Sequence, residues 1–359
     1  MKKIVLTGGG TAGHVTPNIA LLPALQAAGY EIAYVGSYEG IEKKLIADFN
    51  IPYTGISTGK FRRYLDPKNF SDPFRVMRGF VEARNYLKNY QPDVVFSKGG
   101  FVSVPVVRAA ASLHIPCIIH ESDMTPGLAN KLCIPVAEKV CCNFPETMKN
   151  IPADKAVLTG SPIRAELAQG SKLAGLNMCG FTANKPVIMV IGGSLGAANV
   201  NKAVRDALPK LLEDFQVVHL CGKDKIDNLL LNTPGYKQFE YIKSELKDIF
   251  AMADVVISRA GANAICELLA LKKPNILIPL PAASSRGDQL LNAASFEAQG
   301  YSIVLNEDDI TTNLLVDKVH ELYFNPQNYV EAMSRSHQMD AINTIMLLIN
   351  EAANKSHTQ

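Results

Sequence analysis

Nothing in this chain is long and apolar enough to hold it in a bilayer: across 359 residues, no apolar run approaches the roughly 18 that a membrane helix needs. A cysteine framework is missing as well. The seven cysteines (Cys117, Cys133, Cys141, Cys142, Cys179, Cys221, Cys266) are odd in number, two are adjacent, and none forms a CxxC pair. They read as small buried hydrophobes in a reducing cytosol, with no metal and no disulfide assigned to them. The sequence also contains no Asp-x-Asp, the paired-carboxylate device that holds a divalent metal on a diphosphate. Charged residues are few, 19% against 47% hydrophobic, which excludes a disordered chain and leaves material for substantial cores. The length accommodates two domains. The N-terminus, MKKIVLTGGG, has too short an apolar run before its glycines for a signal peptide and reads as a first strand.

What is present is an alternation of buried-strand runs and helical patterns. Strands are expected at Ile4–Leu6, Ile32–Val35, Asp93–Ser97, Pro116–His120 and Lys139–Phe144. After a pause at Gly160-Ser161-Pro162 they resume at Val187–Ile191, Gln216–Leu220, Asp254–Ser258, Asn275–Pro279 and Ser302–Leu305. The halves echo one another: Thr7-Gly8-Gly9-Gly10 parallels Ile191-Gly192-Gly193-Ser194, and the run from Val94 to Gly100 parallels that from Val255 to Gly261. Two α/β units, each a Rossmann-like doubly wound parallel sheet, are expected at 1–160 and 161–337. An apolar-rich helix closes the chain, at about 338–359; the first unit is one candidate to receive it, and the sequence does not say which unit it packs on.

Strand–turn–helix junctions in such a fold put helix N-termini at the carboxyl edge of the sheet, where ligands bind and phosphate is favoured. In Asp254–Gly300 two such junctions follow one another. Glu267 stands one turn after Asn263 on the same helix face, suited to accept hydrogen bonds from paired sugar hydroxyls, and Gln289 opens the next helix. Together these suggest a sugar nucleotide. Gly8–Gly13 fits GxGxxG, but a ribose-binding acid at the end of the second strand is replaced by Val35-Gly36-Ser37, which argues against NAD or FAD. His14 ends this turn and is either a proton acceptor or a turn histidine. His120-Glu121-Ser122-Asp123 lacks metal-ligand spacing, leaving hydroxyl binding or a structural role open. Arg164 is either a cation for a diphosphate or a linker arginine, and Ser194 offers its hydroxyl and amide to a phosphate. Lys60 to Lys88 carries eight basic residues against three acidic ones, interleaved with Phe61, Tyr64, Phe70, Phe74 and Phe80. That mixture suits anionic lipid headgroups, nucleic acid, or a solvated helix face.

TGGGTAGH at 7–14, KGGFVSVP at 98–105, HES at 120–122, GSPIR at 160–164, GGSLGA at 192–197, SRAGANAICE at 258–267 and RGDQLLNA at 286–293 resemble the MurG family of glycosyltransferases. The resemblance implies the GT-B fold, two Rossmann-like domains facing across a cleft, on a peripheral enzyme of the cytoplasmic membrane face with no donor-bound metal and no cofactor. It implies inverting transfer of GlcNAc from UDP-GlcNAc to the C4 hydroxyl of the MurNAc of lipid I, giving lipid II for peptidoglycan, with cell shape and division depending on it. Partners on this reading are the two substrates, an anionic membrane surface and proteins of wall synthesis, with no nucleic acid. By the same resemblance, Arg164 and Ser194 lie near the diphosphate, Ile242 contacts uracil through its backbone, Asn263 and Glu267 hold the ribose side, and Gln289 contacts the GlcNAc hydroxyls. Thr11, Ala12 and Gly13 face donor sugar and acceptor, and His14 (or an acid nearby) is the base. The chain departs from some relatives at Ala12, where they have glycine, and at Asp123, where they have asparagine near the acceptor. Rival readings are a UDP-GlcNAc 2-epimerase of the same fold, a nicotinamide oxidoreductase, and a non-catalytic nucleotide-binding subunit of a wall-synthesis complex.

Overall fold

The computed structural model describes residues 1–59, 68–192, 197–282 and 287–355. Ser194, Arg286 and the part of the basic stretch from Lys60 to Tyr64 lie outside the described residues. The chain forms two compact units, Met1–Arg164 with Asp340–Gln359, and Ala165–Met339.

In the first unit the order is β1 (Lys3–Thr7), α1 (Thr16–Ala27), β2 (Glu31–Ser37), α2 (Ile41–Ile46), β3 (Tyr53–Ile56), α3 (Lys68–Tyr90), β4 (Val94–Ser97), α4 (Ser103–Ser112), β5 (Cys117–Glu121), α5 (Leu128–Cys133), β6 (Lys139–Cys142), α6 (Pro145–Met148) and β7 (Ala156–Leu158). All seven strands are parallel, in the order β3-β2-β1-β4-β5-β6-β7. The apolar runs are continuous because both faces are covered, and alternate residues serve opposite faces. Ile4, Leu6, Val94 and Phe96 pack one way with Leu21 and Leu25 of α1. Val5 and Val95 pack the other way with Ala83 and Leu87 of α3 and Val106 and Ala110 of α4.

The second unit holds α7 (Lys172–Cys179), β8 (Val187–Ile191), α8 (Ala198–Asp214), β9 (Gln216–Leu220), β10 (Tyr236–Phe239), α9 (Leu246–Met252), β11 (Val255–Ser258), α10 (Ala262–Ala270), β12 (Asn275–Leu277), α11 (Asp288–Ala298), β13 (Ile303–Val304), α12 (Thr312–Phe324) and α13 (Gln327–Ser334). Its parallel sheet runs β10-β9-β8-β11-β12-β13. The last helix, α14 (Ala341–Lys355), returns to the first unit and inserts Ile345, Ile349, Ala352 and Ala353 beside α1. Tyr30 Oη donates to Asn350 Oδ1 (2.7 Å) and Lys2 Nζ to Asn354 Oδ1 (2.7 Å), fixing its register.

Three strands beyond the expected ones, β3, β7 and β10, lie at sheet edges, where mixed sequences such as YTGI and YKQF suffice. The first unit also extends past residue 160. The Gly160 N–H donates to the Cys142 carbonyl (3.1 Å) and its own carbonyl accepts from the His120 ring (2.9 Å), so this glycine belongs to the sheet edge and the division falls after Arg164.

Candidate active site

Each sheet reverses its winding direction once, between β1 and β4 in the first unit and between β8 and β11 in the second. The carboxyl ends flanking such a switch point are where doubly wound sheets bind ligands. The echoed sequence motifs fall there: Gly8–His14 after β1 and Lys98-Gly99-Gly100 after β4, then Gly192 after β8 and Arg259-Ala260-Gly261 after β11.

At the first switch point two glycine turns interlock. Gly10 has φ +86°, and a Cβ on it would come within 2.5 Å of the Phe101 ring. A Cβ on Gly100 (φ +83°) would meet the Gly9 carbonyl at 2.3 Å and His14 Nδ1 at 3.3 Å. The side chains are absent because the loops need the room. Ala12 lies in a single 3-10 turn, Ala12–His14, without a positive φ, so alanine fits without strain where some relatives carry glycine. Thr11 and Ala12 are exposed and Gly13 and His14 half-buried. His14 Nδ1 lies 3.0 Å from Thr11 Oγ1. Burial and the Lys98 ammonium lower the His14 pKa from 6.5 to about 4, against the opposing pull of a hydrogen bond to the Gly9 carbonyl and of Glu42. The ring is therefore neutral at pH 7.

Around it, His120 and Glu121 are committed to structure. His120 is fully buried: its Nδ1 accepts from Lys98 Nζ (2.9 Å) and its Nε2 donates to the Gly160 carbonyl (2.9 Å). Glu121 accepts from the amides of Asp123 (2.9 Å) and Gly127 (3.0 Å) and from Asn130 Nδ2 (2.8 Å), which shapes the loop after β5. Asp123 is half-buried on that loop, its carbonyl accepting from the Thr147 hydroxyl (3.1 Å). Arg164, half-buried, ends the first unit.

In the second unit, Asn263 and Glu267 share a face of α10, and Gln289 lies in the first turn of α11; both helices start at the carboxyl edge, after β11 and after β12. Gln289 Oε1 accepts from the Leu280 amide (3.1 Å), which fixes the side chain. Ile242 is buried on the segment following β10, at the same edge. Arg259 was not singled out from the sequence. Its buried guanidinium pairs with Glu307 and donates to the carbonyls of Ile278 (3.0 Å) and Pro279 (3.1 Å), tying the ends of β11 and β12 together. Lys98 and Glu42 also escaped notice. A basic residue closing a buried run before two glycines is the one local signal for Lys98; Glu42 has none. Among the described residues, no three His, Cys, Asp or Glu side chains gather as metal ligands would, and no helix is long and apolar enough to cross a membrane.

The same arrangement occurs in known proteins. The glycosyltransferase family 28 N-terminal domain matches residues 4–142, and the family's C-terminal domain matches residues 187–346. A Lachnospira eligens protein named UDP-N-acetylglucosamine--N-acetylmuramyl-(pentapeptide) pyrophosphoryl-undecaprenol N-acetylglucosamine transferase is 64% identical over 351 residues, 98% of this chain and 99% of its own. A Lachnoclostridium phytofermentans protein of the same name matches at 64% with the same coverage. Among solved structures, Acinetobacter baumannii MurG superposes with a TM-score of 0.77 at 28% identity, covering 98% of this chain and 100% of that one. A putative UDP-N-acetylglucosamine 2-epimerase from Listeria monocytogenes has a TM-score of 0.70 at 14% identity, covering 100% of this chain and 97% of that one, a likeness of fold alone. Matched through both domains and nearly end to end, the chain belongs to glycosyltransferase family 28 and is a two-domain glycosyltransferase of the MurG type.

Proposed function

We infer that this chain transfers N-acetylglucosamine from UDP-N-acetylglucosamine to the C4 hydroxyl of the muramyl sugar of undecaprenyl-diphospho-muramoylpentapeptide, making the disaccharide lipid precursor of peptidoglycan. The observation that carries this is 64% identity over 98% of the chain with proteins named for that transfer.

We assign the donor to the second unit. Ile242 meets uracil through its backbone, Asn263 and Glu267 take the ribose side, and Gln289, already held by Leu280, offers its amide nitrogen to the GlcNAc hydroxyls. The diphosphate charge falls to Arg164, Ser194, and the N-terminal amides of α10 and α11, which act as a preorganised field in place of a metal ion. The acceptor belongs to the first unit, at Thr11, Ala12, Gly13 and Asp123. In the transfer step the acceptor O4 attacks C1 of GlcNAc from the face opposite the leaving group. The C1–O bond to the diphosphate breaks and inverts, UDP departs with the bonding pair, and the O4 proton passes to His14. Its Nδ1 is engaged with Thr11 Oγ1, leaving Nε2 to take the proton. Burial keeps the imidazole neutral at working pH, as a proton acceptor must be, while lowering its basicity below that of an ordinary histidine.

Labelled UDP-N-acetylglucosamine with a lipid-linked muramoyl-pentapeptide analogue and EDTA should yield labelled disaccharide lipid. Conversion of the nucleotide sugar to its 2-epimer without acceptor would make this an epimerase, and nucleotide binding without any product would make it a non-catalytic subunit.

We place the lipid anchor of the acceptor, and the membrane surface, at α3. Phe74 (74% exposed) and Met77 (68% exposed) stand out from this helix. A groove of about 620 Å³ between α3, α4 and α5 is lined by Val76, Phe80, Val81, Val104 and Leu132, with Arg78 and Arg108 beside them. Apolar side chains rimmed by arginine favour an anionic interface over solvent. Flotation with anionic vesicles should weaken severalfold in Phe74→Glu/Met77→Glu; unchanged binding would return the face to solvent.

A further inference from the structure

The first glycine turn is bracketed by two buried charges that none of the roles above uses. Glu42, at the start of α2, is fully buried. It accepts from the Gly10 amide (3.2 Å), from the Ser37 amide (2.9 Å), and from the Ser37 hydroxyl. Three glycines leave room for it: a Cβ on Gly9, Gly36 or Gly40 would come within 2.5, 2.8 and 2.2 Å of its side chain. Lys98, 1% exposed, stands at the end of β4. Its amide donates to the Thr7 carbonyl (2.9 Å), its Cβ lies 3.2 Å from where a Cβ on Gly8 would be, and its ammonium is held by His120 Nδ1 and Ser122 Oγ. Burying a charge costs several kcal/mol unless its hydrogen bonds are made. Two of opposite sign beside one seven-residue turn need a reason beyond packing.

We propose that Glu42 and Lys98 are positioning residues for the transfer reaction, a carboxylate and an ammonium that bear on the Gly8–His14 turn and set the position and electrostatic surroundings of the His14 ring as the proton acceptor. This rests on His14 being the base. Glu42 fixes the backbone that leads into Thr11–His14 by taking the Gly10 amide. Tyr34 Oη adds a hydrogen bond to the Gly8 carbonyl (2.8 Å) and Asn18 Nδ2 one to the Thr7 carbonyl (3.0 Å). The Lys98 ammonium, held by His120 and Ser122, opposes protonation of the His14 ring. The charged and titratable groups acting on His14 are Lys98 from β4, Glu42 from α2 and His120 from β5. His120 is neutral, so the two buried ions act in opposite directions, Lys98 against protonation and Glu42 for it.

The test is the protonation midpoint of the His14 ring, read by NMR on the full chain, beside the acid limb of kcat. In Lys98→Met the midpoint should rise by about one pH unit, and in Glu42→Gln it should fall, each carrying the acid limb with it. Both variants should lose kcat, on the order of tenfold, while the KM for UDP-N-acetylglucosamine stays within about twofold, since neither residue lies in the second unit. Lys98→Arg keeps the charge and should keep the wild-type midpoint; it serves as the reading if Lys98→Met does not fold. Midpoints that stay put, that move together, or that move in Lys98→Arg overturn the proposal. The NMR reading does not depend on catalysis, so a His14→Ala enzyme with near-normal turnover would overturn the base assignment and leave the action of Glu42 and Lys98 on the ring to be judged separately.

Discussion

The two switch points are built on the same pattern and put to different uses. Ser97-Lys98 and Ser258-Arg259 are equivalent in the two sheets, each a serine ending a strand followed by a buried cation. In the second unit Arg259 meets Glu307 and two carbonyls, so its charge is spent holding the ends of β11 and β12 together. In the first, Lys98 donates to an imidazole and a hydroxyl, and its field reaches His14. On the proposed assignment, one edge is a shelf of amides and hydroxyl-binding side chains, and the other a set of ionisable groups that handle a proton. A doubly wound sheet supplies the same geometry twice, and the partners of one basic residue decide which chemistry follows.

The comparison can be broken most directly at His14. His14→Ala should lower turnover by roughly 10²–10⁴ with donor KM little changed; near-normal turnover measured with labelled donor would remove proton handling from the first edge. Next in size is the shelf itself. Arg259→Met leaves the Glu307 carboxylate buried without its cation and should cost about 3–5 kcal/mol of unfolding free energy in denaturant titration, much of it recovered in Arg259→Met/Glu307→Leu. A loss below 1 kcal/mol would mean that the pair is not what holds the strand ends. Glu267→Ala sharpens the contrast: losing hydroxyl-binding hydrogen bonds should raise the donor KM about tenfold with a smaller change in kcat. The two units also differ in a pH dependence of stability. His14 at about 4, His219 at about 3 and His120 well below its usual range all resist protonation when folded, chiefly through burial, whereas the unfolded chain takes up these protons near 6.5. Their contribution is present above pH 6.5 and is lost as pH falls from there toward 4, at about 1.4 kcal/mol per pH unit for each proton. Replacing His219 by Asn should flatten that slope by one proton without affecting the His14 limb of kcat.

Much of this was legible beforehand because buried parallel strands declare themselves. The continuous apolar runs at β1, β4, β8, β9 and β11 each have both faces covered, the environment in which parallel strands carry such runs. The edge strands β3, β7 and β10 did not stand out, since a strand paired on one side tolerates Lys237 and Thr54. Asn263, Glu267 and Gln289 were readable from their offsets after strand ends, because a helix start fixes direction locally. Glu42 was not. Its carboxylate sits beneath Gly10 through a contact spanning 32 residues, and nothing in Gly40-Ile41-Glu42-Lys43 distinguishes it from a solvent-facing helix glutamate.

By itself, then, the sequence determined the repeated strand–turn–helix units, the glycines that let two loops pass within contact distance, and the polar side chains carried at each helix start, all of which depend on residues a few positions apart. Only the tertiary structure decided which buried groups and elements meet: Glu42 and the Gly10 amide, Lys98 and His120, Arg259 and Glu307, and α14 and α1. Such pairings join residues far apart in the chain. Their strength comes from exclusion of water, which exists only once both faces of each sheet are covered.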